Sequence, residues 1–176
     1  MKIFKWSLFC LLILALTAGC SSEPKRLKIG DKAPGFTTRD LDKNVISLDD
    51  YKGSPVVLRF WSTDCQFCKV DTPIFNYYFN KYKKEGLKVV YINSTADEET
   101  VRNFVDALDV QFPVVLDKDA AIATSYQVRV VPQTIIIGPD QTILAAILGG
   151  VDEAELKKVL GPYLPQTARG EANPSQ

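Results

Sequence analysis

The feature that most restricts how this chain can fold is a pair of cysteines three apart, Cys65-Gln66-Phe67-Cys68. It stands where the apolar run Pro55 to Trp61 gives way to a helical pattern. A strand that ends in such a pair and turns straight into a helix puts the first thiol at a helix N-terminus. There the unpaired backbone N–H groups and the helix dipole favour thiolate over thiol. The second cysteine, one turn later on the same face, can close a disulfide on the first. A strand, a Cys-x-x-Cys and a helix are the minimum parts of a dithiol–disulfide exchange site.

Cysteine arithmetic weighs against blander roles. The chain has four cysteines, Cys10, Cys20, Cys65 and Cys68, and no histidine. A structural zinc site takes about four Cys or His ligands, which are lacking once Cys10 and Cys20 are accounted for. A purely structural bridge closing so small a loop removes little chain entropy. No metal and no cofactor is expected.

The first 19 residues read as a secretory signal: Lys2 and Lys5, an apolar core from Trp6 to Leu16, then Leu16-Thr17-Ala18-Gly19-Cys20. The core is too short for a comfortable transmembrane helix. The cleavage region resembles a bacterial lipobox, in which Cys20 becomes the lipidated first residue. The alternative is plain cleavage near Ala18 or Gly19 with Cys20 left as a free thiol. Export places the chain outside the cytoplasm, lipid-anchored to a bacterial membrane, with Cys65 and Cys68 as its remaining thiols in an oxidising setting. Without the leader's two lysines, the 21 basic residues fall to 19 against 21 acidic ones, a net charge of −2. Nothing in that balance points to nucleic acid.

Residues 20–28 form a polar tether, 29–164 a single domain and 165–176 a tail too poor in apolar residues to order. Within the domain, Phe36 to Thr38 and Val45 to Ser47 read as a hairpin around Asp42-Lys43-Asn44. Val56 to Trp61 and Leu87 to Asn93 read as strands, and Gln66 to Tyr82 as a helix kinked by Pro73. Asp97 to Leu108 is an amphipathic helix entered through Ser94-Thr95-Ala96-Asp97. Phe112 to Leu116 is a strand and Asp119 to Tyr126 a short helix. Thr134 to Ile137 and Ile143 to Leu148 are antiparallel strands about Gly138-Pro139-Asp140-Gln141, and Asp152 to Leu160 is the last helix. The alternation implies an α/β fold with a sheet covered on both faces and the active turn at a strand's C-terminal end.

Several segments together resemble the thioredoxin superfamily, in its TlpA/ResA-like branch of exported thiol–disulfide oxidoreductases, related to the AhpC/TSA redoxins. They are Gly30-Asp31-Lys32-Ala33-Pro34-Gly35-Phe36, Phe60 through Lys69 around the cysteines, Pro73, and Tyr126-Gln127-Val128 leading to Val131-Pro132 and Thr134 to Ile137. The likeness runs from about Ile29 to Leu160. It implies a thioredoxin-like fold: a central mixed sheet flanked by helices, an N-terminal β-hairpin and a central αβ insertion. It implies Cys65 as nucleophile and Cys68 as resolving thiol. It also implies a substrate-binding surface of Val131, Pro132 and Trp61, with Pro132 cis where sequence alone would favour an ordinary trans proline at a strand start.

Four positions depart from the family pattern. Gln66-Phe67 replaces an intervening pair that commonly ends in proline and tunes redox potential. Asp64 stands where tryptophan is common, and Arg59 where many thioredoxins bury an aspartate and many relatives carry asparagine. The acid that some relatives set beside their cysteines falls at Ala96, with Asp97 next to it. Arg59, Asp64, Gln66, Phe67 and Asp97 are therefore the candidate tuning residues. Arg59 shares a strand face with Val57 and Trp61, and a buried guanidinium needs a partner. Either it is a paired or partly water-reaching structural arginine, or it is a cation that favours the thiolates and pairs with a carboxylate such as Asp97.

The leading functional expectation is a membrane-anchored, monomeric oxidoreductase of reductase type. It would act on disulfide-containing protein substrates, in cytochrome c maturation or a similar process, and be recharged by a membrane thiol-transfer reductase. A peroxiredoxin-type peroxidase is the alternative enzyme. Its motif carries Pro and Thr/Ser seven and three residues before the cysteine, where this chain has Leu58 and Ser62. A lipoprotein binding module with idle cysteines is the non-catalytic alternative.

Overall fold

The computed structural model describes residues 26–165. The leader, Cys20 and the tail from Gln166 onward lie outside the described residues. Among the described residues, no helix is long and apolar enough to cross a membrane.

Two strands, β1 (Thr37–Arg39) and β2 (Val45–Ser47), form a small antiparallel sheet. A five-stranded mixed sheet follows, made of β3 (Val56–Trp61), β4 (Lys88–Asn93), β5 (Val114–Leu116), β6 (Gln133–Ile137) and β7 (Ile143–Leu148). Its order is β5-β4-β3-β6-β7, with β3, β4 and β5 parallel and β6 and β7 antiparallel to their neighbours. The helices are α1 (Gln66–Tyr82), α2 (Glu98–Ala107), α3 (Ala121–Ser125) and α4 (Glu153–Leu160). This is the thioredoxin-like architecture expected from the sequence.

Central strand β3 is apolar almost throughout because both of its faces are covered. Val57 and Trp61 join Phe75 and Tyr78 of α1, Val101 and Phe104 of α2 and Leu156 and Leu160 of α4 in one core. Val56, Leu58 and Phe60 point the other way, into a second core with Ile46 and Leu48 of the hairpin segment, Ile122 of α3 and Tyr126 at its C-cap. Period-two alternation divides the strand between these two layers. The first layer also receives Arg59, the strand's one charged side chain.

Helix α1 buries Cys68, Asp71, Thr72, Phe75 and Tyr78, a stripe at the three-to-four spacing of a half-covered helix. Pro73 falls on its exposed face, and the helix continues through it to Tyr82. Most boundaries that differ from expectation do so by one or two residues, and two of them have a local cause. Strand β1 starts one residue late because Phe36 packs inward, its ring 6.5 Å from that of Tyr126. Helix α3 starts two residues late because the Asp117 carboxylate accepts the N–H groups of Ile122 and Ala123, at 3.1 and 2.9 Å, and sets the first turn there.

Candidate active site

Strand β3 delivers the chain to the C-terminal edge of the sheet, and Ser62-Thr63-Asp64 turns it into α1. Cys65 is the N-cap of that helix, with extended backbone, and its Sγ accepts the Cys68 N–H at 3.0 Å. The sulfur thus occupies the place a capping oxygen would take, where the helix's first N–H groups stabilise negative charge. Cys65 and Cys68 are disulfide-bonded, with Cα atoms 5.2 Å apart. Cys65 is half-buried, whereas Cys68 is 1% exposed. The Cys68 carbonyl accepts the Thr72 hydroxyl at 2.6 Å, and Thr72 Oγ1 is in turn 3.1 Å from the Tyr91 hydroxyl.

The Val131–Pro132 peptide is cis. Pro132 is buried, Val131 is half-buried, and the Pro132 carbonyl accepts the Gly149 N–H at 2.8 Å. Trp61 does not join that surface. It is fully buried, its ring centroid 4.2 Å from that of Phe104 and 5.8 Å from that of Tyr91. The last residue of β3 faces the core by strand alternation, so Trp61 belongs to the packing behind the dithiol and not to a substrate contact.

Arg59 is fully buried and its partner is Asp71, not Asp97. Its Nη2 donates to Asp71 Oδ2, and its Nη1 donates to Thr134 Oγ1 at 2.7 Å and to the Gly149 carbonyl at 3.0 Å. The guanidinium carbon lies 5.3 Å from the centroid of the Phe75 ring. Asp71 Oδ2 also accepts the Val151 N–H at 3.1 Å. Burial pushes the Asp71 carboxyl above its ordinary value, against the pull of Arg59 and of the Val151 N–H. Burial likewise lowers Arg59, against the pull of Asp71. A guanidinium nevertheless stays charged throughout the working range.

Asp97 lies elsewhere. It is exposed and caps α2, accepting the Thr100 N–H at 2.8 Å and the Thr100 hydroxyl at 3.0 Å. Those bonds hold its carboxyl below the usual range. Asp71, three residues after Cys68 on the buried face of α1, is the acid that pairs with Arg59, and the expected pairing of Arg59 with Asp97 is corrected. Asp97→Ala is expected to lower the thermal midpoint modestly and leave the Cys65–Cys68 reduction potential unchanged, both readable on one preparation. A shifted potential would restore Asp97 to the site.

Three elements escaped the sequence reading: Asp71, the Gly149-Gly150-Val151 loop and Asn93. Asn93 donates from its amide to the Trp61 carbonyl at 3.2 Å and accepts the N–H groups of Thr95 and Ala96 at 3.0 and 2.9 Å, tying the ends of β3 and β4 together. Asp71 carried a legible signal, an acid on the apolar stripe of α1 one turn past Cys68. Asp64 and Gln66 are exposed around the dithiol, as is Phe67.

The AhpC/TSA family model matches residues 29–146. The chain is 33% identical over 150 residues to the thiol-disulfide oxidoreductase ResA of Bacillus cereus, covering 85% of this chain and 87% of that protein. It is 29% identical over 163 residues to ResA of Bacillus subtilis, covering 93% and 91%. Among solved structures, a chain assigned as the thiol:disulfide interchange protein DsbE of Chlorobium tepidum superposes with a TM-score of 0.71 at 30% identity. That match covers 77% of this chain and 97% of the other.

Proposed function

Since the chain belongs to the AhpC/TSA family and is a thiol–disulfide oxidoreductase, we propose that it is an extracytoplasmic reductase of protein disulfides, lipid-anchored through Cys20. One observation carries the division of labour: Cys65 is the accessible sulfur at the cap of α1, and Cys68 is buried behind it.

In the reduced protein the Cys65 thiolate attacks a client disulfide. The client S–S bond breaks, a Cys65–client bond forms, and the departing client sulfur takes up a proton. Cys68, having given up its proton, then attacks Cys65 Sγ and expels the second client thiol. Two electrons and two protons pass to the client, and the protein is left with the Cys65–Cys68 disulfide. A membrane thiol-transfer reductase presenting its own dithiol returns the pair to the reduced state. An apocytochrome c fits as client, because its Cys-x-x-Cys-His segment must carry free thiols for haem attachment. Val131 and the cis Pro132, whose carbonyl accepts the Gly149 N–H next to the Gly150 that underlies Phe67, are the surface along which a client segment would lie.

Two measurements test this reading. Limited alkylation of the reduced protein is expected to label Cys65 well before Cys68, with a thiol pKa at Cys65 below the ordinary value of about 8.5. Faster labelling of Cys68 would reverse the two roles. The couple is expected to sit well below the potential of strong periplasmic oxidants. A value near about −120 mV would make the protein an oxidant. Insulin reduction without peroxide consumption separates it from a peroxidase.

A further inference from the structure

The residue between the cysteines that departs most from the family pattern, Phe67, faces outward. It is 63% exposed, and its side chain lies over Gly150: a Cβ built at Gly150 would sit 3.3 Å from Phe67 Cδ1 and 3.8 Å from its Cβ and Cγ. The loop beneath it is gripped on both sides. Arg59 donates to the Gly149 carbonyl, and Asp71 accepts the Val151 N–H. Gly149 has a φ of +96°, a conformation suited to glycine. Gly150 has no such requirement, so its missing side chain serves to leave room for the aromatic ring.

Other large apolar side chains are exposed on the elements that carry the site. Val70, one turn along α1, is 65% exposed, and Val130, two residues before Pro132, is 60% exposed. Leu148, at the end of β7 and paired in register with Gln133, is 67% exposed. Gly149 joins this end of β7 to Pro132 through its N–H. Phe67 and Val70 thus expose large apolar side chains in the first turns of α1, two and five residues from the half-buried Cys65 and three residues apart, a spacing that sets them side by side on a helix. The reaction itself names the occupant's key atom, because whatever covers the ring must place a sulfur on Cys65 Sγ.

The geometry points to Phe67 as a specificity-determining residue: seated on Gly150, it selects clients that carry an apolar residue beside the target cysteine. This rests on the exchange reading above. It differs from the expectation that Phe67 tunes the potential, since the ring is exposed and rests on Gly150, whereas Cys68 is buried.

The test follows oxidation of the reduced full chain by two peptide disulfides, identical except for leucine or serine next to each cysteine. Tryptic cleavage after Arg59 and Lys69 releases Phe60–Lys69, whose mass reports the state of both cysteines. The native protein is expected to react about tenfold faster with the leucine peptide. Phe67→Ser should bring that ratio to within about twofold of unity, while the exchange equilibrium constant against a reference dithiol changes less than about threefold. Gly150→Val, which leaves the inter-cysteine pair intact and pushes the ring aside, should lower the ratio in the same way. If Gly150→Val does not fold, Val70→Ser, three residues from Phe67 on α1, provides the second reading. An unchanged ratio in Phe67→Ser, or an equilibrium constant moved tenfold with the ratio intact, overturns selection in favour of tuning. A native protein that reacts with neither peptide overturns the exchange reading itself, a result distinct from equal reaction with both.

Discussion

Arg59→Gln is expected to destabilise the domain by about 3–5 kcal/mol, because it leaves the Asp71 carboxylate buried without its counter-ion. For a domain of this size that corresponds to a fall in thermal midpoint of roughly 10–15 °C. The loss is not confined to one bond. Arg59 also holds Thr134 of β6 and the Gly149 carbonyl, so one side chain joins the central strand to the dithiol helix, β6 and the β7–α4 loop. The double replacement Arg59→Met with Asp71→Leu removes both charges and should recover most of the loss, since buried ion pairs seldom outperform apolar packing of similar volume. Urea unfolding of the single and double variants measures this. A single variant within about 1 kcal/mol of the native protein would show that Asp71 has another way to be satisfied.

The pH dependence has a definite sign. Burial already raises Asp71 against Arg59's pull, and removing Arg59 raises it further. A carboxyl whose folded pKa lies above its unfolded value of about 3.9 contributes stability below that unfolded value and loses it as pH rises through the folded one. The deficit of Arg59→Gln should therefore be larger at pH 8 than at pH 5. A deficit that grew on acidification would mean that the carboxylate remains stabilised as an anion. The same geometry changes the electrostatic role of Arg59. With Asp71 bonded to it, the pair presents a dipole to the dithiol rather than an isolated positive charge. Arg59 acts on the cysteines mainly by fixing α1 and the 149–151 loop, and replacing it is not the neutral operation that an unpaired tuning cation would allow.

The parts of this site that were legible in the sequence are those governed by local chemistry. A β-rich run ending in Cys65-Gln66-Phe67-Cys68 and a helical stripe give the strand, the cap and the helix, because each is set by residues within a few positions of one another. Arg59 was legible as an anomaly, a cation on a buried strand face that must find a partner. Its partner was not, since that depends on the rotation of α1 over β3, which brings position 71 to Arg59. Trp61 shows the complementary failure. Family likeness placed it near substrate, but strand alternation sends it inward against Phe104. The loop at Gly149 to Val151 is remote from the cysteines along the chain, and nothing local in its residues records that Arg59, Asp71 and Phe67 converge on it.

Cys65→Ser is expected to reduce disulfide exchange to the level of the uncatalysed reagent, and Cys68→Ser to stop turnover at a different place. Serine at position 65 keeps an oxygen at the helix cap, able to accept the Cys68 N–H that Sγ accepts in the native chain, so the fold should survive. What disappears is the nucleophile, since a hydroxyl is almost wholly protonated at neutral pH and attacks no sulfur. In Cys68→Ser the accessible thiolate remains and still attacks, but no second thiolate stands behind it to release the client. A Cys65–client disulfide should therefore accumulate and be visible as a mass shift that reductant reverses. Burial adds a smaller cost at this position, because Cys68 is 1% exposed and a hydroxyl placed there must find a hydrogen-bond partner. Thermal midpoints measured alongside separate that loss of stability from the loss of release. The discriminating result is the asymmetry: trapping by Cys68→Ser and none by Cys65→Ser. The reverse pattern would make the buried sulfur the attacking one and would require α1 to open before any client could react.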